Sequence, residues 1–152
     1  MHKDLRNGAV AGLLGGASIM ILFLGYDAFS FGPLSTPDLL AEAITGQEIL
    51  VLDFAAPLRV ARIMMFTVLH LAVFSGLGII LTNLFRMTGA RESLLLGGLY
   101  GLTVCTVLFS LVLHLSGTEL LAQPQWPAVA LGNFVAGVVM VGYLKVRTAL
   151  FG

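Results

Sequence analysis

The sequence predicts an all-α protein: a polytopic membrane protein folded as an up-down bundle of four transmembrane helices, with a short interfacial helix in the first outer loop. Three observations carry that expectation. Hydrophobic residues fill 58% of the 152 positions and charged residues only 11%, about half the charged share of a typical soluble domain. The mean hydropathy is +0.98, because hydrocarbon cannot hydrate charge and spanning segments exclude it. The charges also fall into clusters, and the runs between them reach the roughly 20 residues that a bilayer crossing needs. The chain therefore reads as a single four-helix transmembrane domain over residues 1–152. Pro57 to Arg86 is its clearest run, with no formal charge between Arg62 and Arg86.

Span one is expected over 8–26. Its basic start and apolar run imitate a signal peptide. The run from Asn7 to Tyr26 is nevertheless of span length and no A-x-A-like cleavage site follows it, so a retained span is expected. Gly8, Gly12 and Gly16 recur at i, i+4, i+8, with Gly15 beside them. Such a stripe lets two backbones approach closely, which is how helices pack in lipid.

Asp27 closes span one and opens an outer loop over 27–56. Gly32-Pro33 signals a turn. Thr36, Pro37 and Asp38 read as a helix cap, a first-position proline and a first-turn acid. Leu39, Leu40, Ala43 and Ile44 then share one side, and Gly46 can end the helix. Such a helix is expected to lie on the membrane surface. The apolar piece Ile49 to Phe54 is too short to span.

Span two is expected over 57–85 and span three over 93–116. The short link between them predicts antiparallel neighbours. Gly97 and Gly101 give span three a small face. Trp126, between two prolines, fits an interface anchor. Span four, over 128–144, carries Gly132, Asn133, Ala136 and Gly137 and ends at Lys145 and Arg147.

Orientation follows from the basic residues. Lys3, Arg6, Arg86, Arg91, Lys145 and Arg147 fall on one side and only Arg59 and Arg62 on the other. The positive-inside bias predicts that both termini are cytoplasmic. The partners expected are the lipid bilayer and other membrane protein subunits. Zero net charge points to no nucleic acid. The single cysteine, Cys105, cannot form an internal disulfide, and no zinc-type Cys/His spacing occurs, so no metal site is expected.

Few residues can carry chemistry. His70 lies roughly 16 Å along the helix from Arg59, near mid-membrane. An ionisable group at that depth is a functional candidate. It could bind haem b, a chlorophyll-type pigment or a quinone, or it could simply be a neutral imidazole bonded to a neighbouring helix. His114 is the second cofactor candidate. It sits roughly 7–8 Å from the outer surface, a depth that argues against sharing one haem iron with His70. Asp27, Asp53, Arg59 and Arg62 cluster at the outer boundary. They can pair to fix the outer loop, with arginine stems snorkelling outward, or contact an anion or lipid headgroup. Asn133 reads as an interhelical hydrogen-bonding residue, and Gly8, Gly12, Gly16, Gly97, Gly101 and Gly132 as packing positions. No nucleophile motif such as G-x-S-x-G occurs and no enzyme is expected. No carboxylate lies deep in a span, which disfavours a small transporter.

These motifs resemble those of an uncharacterised family of small four-span bacterial inner-membrane proteins. The shared features are Asp27 closing span one, the turn Pro33-Leu34-Ser35-Thr36-Pro37, His70 followed by Phe74 and Gly76, and Asn133 with Ala136. The resemblance implies the topology and no activity. The expected function is a non-catalytic accessory or structural subunit of a larger membrane complex, with respiratory and photosynthetic electron-transfer complexes as examples. No cofactor is required by that reading. The alternative is a cofactor- or quinone-binding membrane anchor that uses His70.

Overall fold

A computed structural model of the chain describes residues 2–30, 32, 34–45, 55–116 and 126–151. They form α1 (His2–Ser30), α2 (Ser35–Thr45), α3 (Ala55–Thr88), α4 (Leu94–Tyr100), α5 (Thr106–Ser116) and α6 (Trp126–Phe151), with a π-helical turn, Gly101–Cys105, joining α4 to α5. Four stretches are long and apolar enough to cross a membrane: Asp4–Phe29, Arg59–Thr88, Leu94–Leu115 and Trp126–Leu150. Pro33, Gly46, Glu48, the piece Ile49 to Phe54 with Asp53, and Glu119 lie outside the described residues.

The long helices run past the ends of their apolar runs. Polar residues do not stop a helix whose hydrogen-bond ladder is already formed. Asp4 in the first turn of α1 and Arg86 in the last turn of α3 also complement the helix dipole. Gly89 ends α3 at φ +62°, the left-handed conformation that glycine adopts without strain.

Small residues decide which helices meet. Gly12 lies against the backbone of Phe74 and Ser75, and Gly8 against Gly78 and Ile79, so α1 and α3 cross antiparallel at backbone contact. Gly15, on another side of α1, faces Met140 and Ala136 of α6. Gly97 and Gly101 lie against Gly137 and Asn133, which locks α4 and the π turn onto α6. A Cβ at Gly12, Gly78, Gly101 or Gly137 would overlap main-chain atoms of the facing helix. Gly132 is different, because a Cβ there meets Phe23 at an ordinary 3.4 Å. Gly78 and Gly137 complete the two crossings, yet neither has a glycine at i±4 in its own helix to announce it.

The order of contact is α3, α1, α6, then α4 with the π turn. Spans two and three, expected as neighbours from their short link, are not a closely packed pair. They touch where the Tyr100 hydroxyl of α4 donates to the Leu77 carbonyl of α3 at 2.9 Å. Beyond that point they splay, because the small faces of both are already used against α1 and α6. Leu81, Met140 and Val141 form the tightest part of the core, at the closed end of this splay.

Helix α2 crosses the open end and touches α3, α1 and α5. Ala41 is fully buried and Thr36 nearly so, whereas Leu39 is exposed. The face turned to the bundle thus includes Thr36 and Ala41 together with Leu40, which lines the cavity between the helices, while Leu39 points away from it.

Candidate functional site

Between the splayed helices lies a cavity of about 450 Å³. Its walls come from α1, α3, α5 and α6, with α2 across one end and Leu77 at the other. The lining is almost wholly apolar. Among the described residues Thr36, Thr67, His70, Cys105 and Asn133 are its polar members, and none of the described carboxylates lines it. Leu69 and Val73 of α3 and Val112 of α5 line the cavity while remaining 45%, 40% and 40% exposed. The cavity therefore reaches the outer surface of the bundle along the seam between α3 and α5.

His70 is the most distinctive residue in it. Helical spacing stacks its ring between Phe66, at a centroid distance of 5.7 Å, and Phe74, at 4.6 Å. Its Nε2 is 3.3 Å from the Gly16 carbonyl of α1. A carbonyl only accepts, so Nε2 carries the proton of that bond. The glycine face of α1 is what brings its main chain within reach of the ring. Asn133 is buried opposite, and its Nδ2 donates to Thr106 Oγ1 at 3.0 Å, bridging α6 and α5 just past the π turn.

His114 is exposed on α5 and does not line the cavity. The fold therefore separates the two candidate histidines instead of aligning them for one iron. Among the described residues no group of three or more His, Cys, Asp or Glu is placed to hold a metal ion.

The outer charged cluster resolves into two ties on α2. Asp27, fully buried at the end of α1, accepts from the Thr36 amide at 2.7 Å and from the Thr36 hydroxyl at 2.5 Å. The first-turn donor of α2 is thus capped by a carboxylate from another helix. Asp38 accepts from Arg59 Nε at 2.7 Å and from Arg62 Nη2 at 2.8 Å. The Arg62 side chain is only 9% exposed, whereas that of Arg59 is 50% exposed. Arg59 can snorkel outward as expected, but Arg62 stays inside, held by Asp38. Among the described residues Asp27 meets Thr36 and the two arginines meet at Asp38. Asp38, read only as a first-turn acid, is the residue that joins both arginines.

The backbone between α1 and α2 is tightly wound. Gly32 donates its amide to the Asp27 carbonyl at 2.8 Å and sits at φ +96°, while Leu34 sits at φ +67°. Leu34 also lines the cavity. A non-glycine residue in the left-handed region costs roughly 1 kcal/mol, and Leu34 takes that conformation while its side chain stays 43% exposed at the cavity edge.

The sequence signal for much of the wall was present but ambiguous. Phe66, His70 and Phe74 follow i, i+4, i+8, a pattern any apolar helix can show by chance. Phe109 and Leu108 owe their place to the turn before them, which shifts the phase of α5. No protein-family model, curated protein or solved structure matches the chain.

Proposed function

We propose that this chain is a non-catalytic, four-span protein of the bacterial inner membrane that holds an apolar, ring-bearing molecule of the quinone type. The observation that carries the reading is the cavity of about 450 Å³ with His70 on its wall. That size falls within the roughly 300–1,000 Å³ usual for small-molecule sites, and apolar lining with a few polar groups is their usual character. A cavity open along a seam suits a ligand that is itself dissolved in lipid.

On this reading the long helices cross the bilayer alternately up and down. Six of the eight basic side chains fall at the ends that would face the cytoplasm, with both termini. Helix α2 then lies at the outer surface, and His70 sits near the midplane, where a polar residue without a role is costly.

The test is native mass spectrometry of the full chain released from its source membranes in mild detergent. The expected result is a stoichiometric small adduct that is lost in Val73→Trp, which fills the cavity from its exposed rim. An adduct-free wild type would end the ligand reading.

A second reading, an accessory subunit of a larger membrane complex, is favoured by the same open seam, which a foreign helix could close. Native electrophoresis of source membranes tests it. Co-migration with a large assembly supports it, and migration alone or as a small homo-oligomer removes it.

A further inference from the structure

We infer that the cavity takes its ligand in the hydroxyl-bearing form, a quinol or phenol, in preference to the quinone or ether of the same shape. This rests on the reading that the cavity binds an apolar ring compound, and it concerns what the wall offers that compound. Two of the polar groups on the wall are already spent as donors. The Thr36 hydroxyl donates to Asp27. The Thr67 hydroxyl donates to the Ile63 carbonyl of its own helix at 2.8 Å. The Asn133 amide gives one hydrogen to Thr106 and keeps both a donor and an acceptor, so it does not discriminate.

His70 discriminates. Its Nε2 hydrogen is directed at the Gly16 carbonyl. Among the described residues no carboxylate lines the cavity to balance a charge, and an unpaired imidazolium in such surroundings is strongly disfavoured. The ring is then neutral, with a lone pair on Nδ1. Among the described residues nothing pairs with Nδ1. The ring thus brings an acceptor without a donor to a mostly apolar wall, on which Asn133 serves a hydroxyl or a carbonyl alike and the Cys105 thiol is only a weak donor. A ligand hydroxyl satisfies it. A ligand carbonyl or ether oxygen would set lone pair against lone pair and leave Nδ1 unmet, which is where hydrogen-bonding sites gain their selectivity. Phe66 and Phe74 flank the histidine, so a ring that donates to Nδ1 also meets aromatic surface.

The experiment uses the full chain in lipid nanodiscs and three probes sharing one short alkyl chain: a benzoquinone, its quinol kept reduced under argon, and the quinol's dimethyl ether. The ether has the ring and bulk of the quinol but no donor and no redox chemistry. Trp126 is the only tryptophan and packs edge-on against Phe109 of the cavity wall at 6.0 Å, so its fluorescence reports occupancy. The quinol is expected to bind roughly fivefold or more tightly than the quinone and the ether, the worth of one hydrogen bond. In His70→Phe the three probes should bind alike. His70→Gln, which restores an acceptor, should recover part of the preference. If the wild type binds all three alike, the hydroxyl preference is wrong while the cavity still binds ring compounds. If it binds none of them, the ligand reading itself has failed. The wild-type comparison decides the matter even if a His70 variant does not fold.

Discussion

Asp27 at the end of α1 caps α2 through Thr36, accepting from both its amide and its hydroxyl. One carboxylate from the last turns of α1 therefore fixes where the outer helix starts. Asp27→Ala leaves the Thr36 amide and hydroxyl without this acceptor and should lower stability by about 1–3 kcal/mol. Thr36→Val removes only the hydroxyl leg and should cost about 1 kcal/mol. Because the two act on one contact, the double variant should cost less than the sum. Thermal unfolding in detergent measures all three, and hydrogen exchange should show the loss concentrated in α2.

The two arginines that share Asp38 differ in burial, and their deletions should differ accordingly. Arg62→Ala removes the buried partner and should cost roughly 3 kcal/mol or more. Arg59→Ala removes a half-exposed partner and should cost less than about 1 kcal/mol, with an effect that fades as salt rises. Equal losses in the same unfolding assay would mean that Arg62 is not held inside.

The glycines should separate into two classes. Gly12→Ala and Gly137→Ala drive a methyl into a facing main chain and should cost about 1–3 kcal/mol or reopen the crossing. Gly25 and Gly76 have nothing within 4 Å of a new Cβ. Alanine there should be neutral or stabilising by up to about 1 kcal/mol, the ordinary helix preference over glycine. A uniform response across all four would contradict the two-crossing packing.

Tyr100→Phe tests the tie between α3 and α4. It removes the bond to the Leu77 carbonyl while keeping the ring, and should cost about 1 kcal/mol. Spans two and three have few other contacts, so spin labels placed on α3 and α4 should show a broader distance distribution in the variant.

Much of this architecture was legible in the residues, and the illegible parts share one cause. The four apolar runs and the stripes Gly8-Gly12-Gly16 and Gly97-Gly101 are repeated local signals, and each leads to a real helix or crossing. Asp38 carries no such repetition. Its role depends on α2 folding back so that one carboxylate meets two arginines more than twenty positions later. Gly78 and Gly137 are single glycines whose meaning comes from the helix they face. His70 stands out by its depth in an apolar run, but the cavity beside it exists because α3 and α5 fail to pack, and a missing contact leaves no mark in sequence. The π turn is equally silent, since GLTVC is compatible with an ordinary helix.

That turn gives the third span two separate phases. Relative to an α-helix it accommodates one extra residue, so everything after Cys105 is rotated by about 100° from where a regular helix would carry it. The half before it grips α6 through Gly97, and Gly101 at the start of the turn continues that grip. The half after it is tied to α6 through Thr106 and Asn133 and presents Leu108, Phe109 and Val112 to the cavity. Removing a single residue between Gly101 and Cys105 would let the segment relax to a uniform helix, keep the grip on α6, and swing a different set of side chains over His70. In this sense the chain carries a built-in dial: indexing one helix by one position changes which side chains line the cavity.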